Sequence, residues 1–149
     1  MSTHPFDFRA ALMAKHFQHV VLIHFPIALY MVGVLFDVLS FGKKQSPLAL
    51  ASYYNLAIAA LSTVPVIASG LMAWQFALEG QRLKGVLLQH LVLASSSSLL
   101  IALTWWLHRR WRRGTGEFLP LGRLPLELVT AALLALTGHL GGFLSGVNV

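Results

Sequence analysis

The chain contains no cysteine in 149 residues. That excludes disulfides, a thiolate zinc site, a Cys-ligated iron–sulfur cluster and a thioether-attached c-type haem. Acidic residues are almost as scarce, five Asp and Glu against eleven Lys and Arg, for a formal net charge of +6. Charges of both signs make up 11% of the chain, less than half of the roughly 25% usual in a soluble domain. With 56% hydrophobic residues, a water-soluble fold would have to hide several helices that have almost no polar face. A basic chain can bind nucleic acid, but long apolar runs assign these cations to a membrane surface instead, and no nucleic-acid partner is expected. The length allows one domain, 1–149, and leaves no room for a separate catalytic module.

Four apolar stretches fill most of the sequence, at about 20–41, 50–76, 85–107 and 124–145. Each reaches the roughly 20 residues that a helix needs to cross a hydrocarbon core of about 30 Å. Inside that core the backbone must satisfy its own hydrogen bonds, so these stretches are expected to be helices. The expected fold is all-α, a four-transmembrane-helix bundle preceded by a short N-terminal interfacial segment carrying Phe6, Phe8, Leu12, Met13 and Phe17. That segment lacks the pattern of a cleavable signal peptide. Pro125 and Glu127 suit the first turn of the last helix, where a missing N–H costs nothing and a carboxylate meets the helix dipole.

Four spans place both termini and the second connection on one side. Arg9, Lys15, Arg82 and Lys84 lie there, against Lys43, Lys44, Arg109, Arg110, Arg112, Arg113 and Arg123 on the other. The positive-inside rule then puts the richer side in the cytoplasm and both termini outside. On this reading HRRWRR (residues 108–113) anchors the cytoplasmic end on anionic lipid, and His108 is a solvated interfacial imidazole like His4 and His16. Asp37 reads as a carboxylate at the same interface, close to Lys43 and Lys44.

His24, His90 and His139 differ from these because each falls inside a span, and the topology puts all three near the N-terminal side. Polar groups within a span are costly and mark functional sites by default. Small residues accompany them: Gly138, Gly142 and Gly146 recur every fourth position beside His139 with Gly141 adjacent, and Ala94, Ser97 and Ser98 follow His90. Such faces admit a neighbouring backbone, or equally a flat cofactor. Pro26, two residues after His24, marks a kink or the true first turn of the first span. Two imidazoles from facing helices and an apolar slot suit haem b, with Arg82 and Lys84 placed to meet the propionates. A three-His zinc or copper site is chemically allowed but lacks a carboxylate or thiolate at that depth to neutralise the ion. A proton relay is also open to imidazoles, although Asp37 lies 13 positions from His24, roughly 20 Å along a helix. No nucleophile–base pair, carboxylate dyad or phosphate-cradling loop stands out, so no independent catalyst is expected.

The words HVVLIHFPIAL (residues 19–29) and TGHLGGFL (residues 137–144), with ALSTVPVIASGL (residues 60–71) and the His90 segment between them, resemble an uncharacterised family of bacterial predicted membrane proteins. Those are four-helix domains of unknown function, with an HFPIAL-like word in the first helix and a GHLGG-like word in the last. The resemblance covers about residues 18–149, and His19, His24, His90 and His139 fall on the family's histidine positions. Val20 stands where the family usually has proline, and the tail LSGVNV replaces a longer ending with tyrosine and histidine. Links in that family to cytochrome c and Rieske-type modules imply an electron-transfer setting. The expectation is therefore a multi-pass protein of a bacterial inner membrane, both termini periplasmic. It would be either a b-type cytochrome-like subunit with two of His24, His90 and His139 on haem iron, or an accessory subunit of a larger respiratory or photosynthetic complex without haem. Its partners would be the lipid bilayer and other membrane or periplasmic redox proteins.

Overall fold

In the computed structural model, described for residues 15–41, 46–114 and 122–146, the first span is built from two helices. These are α1, Lys15–Leu22, and α2, His24–Leu39, with a turn at Ile23 between them. Pro26 explains the break, because it has no N–H to offer the Leu22 carbonyl four residues back. Ile23 still donates to His19 O at 3.1 Å and Ile27 to Ile23 O at 3.4 Å, so the axis is interrupted rather than lost. Pro26 thus sits in the first turn of α2 and marks the break ahead of it.

The second span is α3, Pro47–Phe76. Ser46 caps it, its Oγ accepting from Ala49 N at 3.1 Å, and Pro47 occupies the first helical position. Glu79 and Gly80 then take positive φ, 51° and 63°, to reverse the chain. The third span, α4, runs Gly85–Arg113, one turn and a half beyond the expected 107. The arginine run is therefore its last turn, where cations meet the negative end of the dipole. The fourth is α5, Arg123–Leu144, closed by Ser145 and by Gly146 at φ 75°. Gly146 is thus the helix stop and not the end of a glycine face. Residues 1–14 of the expected interfacial segment, the Lys43–Lys44 pair and residues 115–121 lie outside the described residues.

Among the described residues four helices are long and apolar enough to cross a membrane, spanning Gln18–Leu39, Pro47–Phe76, Gly85–Arg113 and Arg123–Leu144. They pack in the ring order α2, α3, α4, α5, with α5 closing back on α2 and α1 lying against α3. Tyr30, Val34, Leu56, Ala59, Ala60, Ile101 and Leu134 form the buried centre. The buried line of α3 is mostly small: Ala49, Ser52, Ala59, Ala60, Thr63, Ser69 and Ala73. Small residues let neighbouring backbones approach, as helix contacts within lipid require. Gly33 of α2 uses that space: a Cβ there would stand 2.9 Å from Leu56 Cγ. Large side chains turn outward instead. Leu99 is 72% exposed, Val64 66% and Leu61 64%. In water each would forgo roughly 2 kcal/mol of burial, whereas hydrocarbon solvates them.

Candidate functional site

Among the described residues, the charged side chains and the imidazoles lie toward the two ends of the bundle. At the end where α1 begins and α5 stops, the imidazoles divide into two kinds. His90, half-buried on α4, places Nδ1 3.1 Å from Thr137 O on α5, and its ring lies over Gly141, whose added Cβ would meet Cε1 at 3.2 Å. Ser97 and Thr137 hydroxyls meet at 3.3 Å one layer deeper. His19 does the same between α1 and α3, with Nδ1 3.0 Å from Ser69 Oγ and Cε1 3.0 Å from a Cβ built on Gly70. Gly141 and Gly70 thus serve as seats for imidazole rings.

His24 and His139, by contrast, are exposed on the outer surface of the bundle. His24 Nδ1 lies 2.7 Å from Val20 O on its own chain. His139 stacks edge-on against Phe143, centroids 5.0 Å apart. A Cβ on Gly138 would meet nothing within 4 Å, and Gly142 is half-buried. Arg82 and Lys84 are exposed on the 79–84 connection. A carbonyl can only accept, so Nδ1 of both His24 and His90 carries a proton, and in the neutral ring the lone pair then sits on Nε2. This is the orientation seen when an imidazole binds a metal and is steadied through its other nitrogen. The three span histidines do not, however, form one compact donor set. Among the described residues the only group of three His, Asp or Glu with ligand atoms within 4.8 Å of one another is Asp37, His108 and Glu127.

That group occupies the opposite end and corrects the reading of three residues. His108 is not a solvated interfacial ring; it is 1% exposed, because α4 continues to Arg113 and carries it inside the bundle. Asp37 is 2% exposed, a buried carboxylate rather than one at the interface, and is held by Arg123. Glu127, 0% exposed, is turned inward rather than serving the helix dipole. His108 Nε2 lies 2.7 Å from Glu127 Oε1 and 3.9 Å from Asp37 Oδ2. Arg123 donates through Nη2 to Asp37 Oδ2, and its Nε stands 3.4 Å from Glu127 Oε1. The Trp111 ring covers the guanidinium, 4.6 Å from its carbon to the ring centroid. Tyr30 Oη, 3.2 Å from Thr104 Oγ1 and 3.5 Å from Glu127 O, closes the inner side.

Three helices therefore contribute one charged or titratable set, Asp37 from α2, His108 from α4, Arg123 and Glu127 from α5. A carboxylate pair exists after all, formed between residues far apart in the sequence. A signal for it was present: of the five acids in the chain, two fall at span ends on the same side as Arg123. Charges inside apolar helices have to pair with something.

A multi-pass helical membrane protein, with an ion-paired centre buried near one end and separately held imidazoles toward the other, is the class that this fold defines. Within that class the chain belongs to the predicted membrane protein family DUF2231, whose family model matches residues 15–147. No curated protein and no solved structure matches it.

Proposed function

We propose that the chain is a small b-type cytochrome-like subunit of a membrane redox assembly, holding haem b through two of His24, His90 and His139 near the end where α1 begins and α5 stops. The observation that carries this reading is the shared state of His24 and His90. Both commit Nδ1 to a main-chain carbonyl, at 2.7 and 3.1 Å, which makes Nε2 the nitrogen that the neutral ring would offer to iron. The donor set suits a haem better than a bare ion: imidazoles with no carboxylate among them go with a group that brings its own charge. Arg82 and Lys84 are exposed where propionates would emerge, and the open space at Gly138 gives room beside His139. Bound there, haem supplies one-electron transfer, while the residues of this chain orient it and shield it from water. In this reading the termini face the periplasm, the Arg109–Arg113 end faces the cytoplasm, and the electron partners are other membrane or periplasmic proteins.

An absorption spectrum of the detergent-purified protein, oxidised and then reduced with dithionite, tests this directly. A Soret band that shifts on reduction is expected, with single His→Ala changes abolishing it at the two ligands and only displacing it at the third. Absence of the band, and of haem in a pyridine haemochrome assay after expression with ample haem, would overturn the reading.

One observation favours a second reading, an accessory subunit without haem. His24 and His139 lie exposed on the outside of the bundle, where polar side chains within a span are costly unless a neighbouring subunit packs over them. Under that reading the same two His→Ala changes weaken co-purification with the partner complex and leave no spectral trace.

A further inference from the structure

The buried cluster at the other end is independent of any haem. Its charges do not balance by themselves. Asp37 and Glu127 bring two negative charges and Arg123 one positive, so a neutral His108 leaves the site at −1 in surroundings that penalise net charge heavily. The 2.7 Å contact between His108 Nε2 and Glu127 Oε1 adds a strict condition. Two lone pairs cannot face each other at that distance, so a proton lies between them. With Nε2–H donating to Oε1, one acceptor is left over. Glu127 Oε2 is buried and has no hydrogen-bond partner, and the same holds for Arg123 Nε and Nη1.

We propose that this cluster is a proton-binding site in which Glu127 Oε2 takes up and releases one proton at the end of the bundle that carries Arg109–Arg113. On uptake an O–H bond forms at Oε2, the carboxylate becomes a carboxylic acid, and the site becomes neutral. On release that bond breaks, the proton leaves to water at the nearby face, and the site returns to −1. His108 Nε2–H holds Oε1 in both states, and Arg123 fixes Asp37 as the permanent counter-ion. The path out is short: Arg123 is the first residue of α5, Asp37 is two residues from the end of α2, and His108 is five from the end of α4. At 1.5 Å per residue these are rises of at most roughly 8 Å.

From α2 the site is faced by Asp37 and Tyr30, from α4 by His108, Thr104 and Arg112, and from α5 by Arg123 and Thr130. The helix α3 has no Asp, Glu, Lys, Arg or His between Pro47 and Phe76. Arg112 is turned over the Tyr53 ring of α3, 5.3 Å from the centroid. The three donors Asp37, His108 and Glu127 are close enough for a divalent ion. Arg123 already occupies Asp37, however, and Arg109, Arg110, Arg112 and Arg113 add four cations on the last turns of α4, which repel a dication far more than a proton.

Glutamate labelled with ¹³C at Cδ makes the test clean, because the chain has three glutamates, Glu79, Glu117 and Glu127. Carbon NMR of the full-length protein in nanodiscs, titrated between about pH 5 and 9, covers the range open to a buried carboxyl. One of the three signals is expected to change from carboxylic acid to carboxylate within that range, and Glu127→Gln removes that signal. The wild-type titration needs no variant to fold, and Asp37→Asn, which lifts one negative charge, should displace its midpoint by a measurable fraction of a pH unit. The proposal is overturned if no glutamate signal changes, or if the signal that changes survives in Glu127→Gln. It is equally overturned if the wild type retains one Zn²⁺ per chain that His108→Gln loses.

Discussion

Arg123 is the residue on which most of the buried charge depends. It donates to Asp37 Oδ2, stands 3.4 Å from Glu127 Oε1 and is roofed by Trp111. Replacing it with alanine leaves two buried carboxylates facing each other without a cation. Removing one partner of a buried pair typically costs about 3–5 kcal/mol. Arg123→Ala is therefore expected to lower the thermal unfolding midpoint in detergent sharply, whereas Arg123→Lys keeps the charge and loses the planar guanidinium that Trp111 covers. A double change, Arg123→Ala with Asp37→Asn, should recover part of the loss; an Arg123→Ala protein as stable as wild type would contradict the pairing. None of this contact was visible along the sequence, although each participant was. Asp37, His108 and Glu127 are separated by 71 and 19 positions, and only the packing of α2, α4 and α5 joins them. His108 in particular was obscured by its neighbours, since an imidazole before four arginines looks like the start of a polar loop until the helix is seen to continue through them.

At the scale of elements, apolar length alone decided the four spans, and observed bounds fall within a few residues of the expected ones everywhere but at the end of α4. What apolar length cannot show is where a helix pauses or how closely two approach. The pause at Ile23 comes from Pro26, a residue readable in advance, yet its consequence depends on the His19 and Ile23 carbonyls finding donors. The α2–α3 contact depends on Gly33, above which Leu56 is fully buried. A methyl group at that position meets Leu56 Cγ at 2.9 Å and Asn55 Cβ at 3.4 Å. Gly33→Ala is expected to destabilise the bundle by about 1–3 kcal/mol, the usual range for overpacking. A Leu56→Ala background should relieve the clash, and thermal unfolding of the single and double variants measures the coupling. A smaller effect belongs to the start of α3, where Ser46→Ala removes the cap on Ala49 N and should cost about 1 kcal/mol.

For the whole molecule, the two ends differ in chemistry in a way that the membrane enforces. One end carries Trp105, Trp106 and Trp111 interleaved with arginines, and the guanidinium carbons of Arg109 and Arg110 lie 5.8 and 5.5 Å over Trp105 and Trp106. These flat, amphipathic pairs suit the headgroup layer, with cations directed toward anionic lipid. The other end keeps Trp74, whose Nε1 donates to Gln81 O at 2.9 Å, and exposes Arg82 and Lys84. The proposed orientation follows from the asymmetry of charge, seven cations against four, through the positive-inside rule. Because the chain has no native cysteine, single cysteines report topology without background. Gln81→Cys, an exposed position whose change leaves every cation in place, should react in intact cells with a thiol reagent that cannot cross the membrane. Arg110→Cys should react only after permeabilisation. The opposite pattern would invert the molecule, placing the histidine end in the cytoplasm and the proposed proton site at the outer face. Shifting the balance offers an independent check on cause. Replacing Arg109, Arg110 and Arg113 with glutamine in the Gln81→Cys protein leaves that end with four cations, equal to the other. If charge sets the orientation, a mixed population should result, with one fraction labelled at position 81 before permeabilisation and the rest only after it. If the helix packing alone sets it, labelling should stay as in the Gln81→Cys protein.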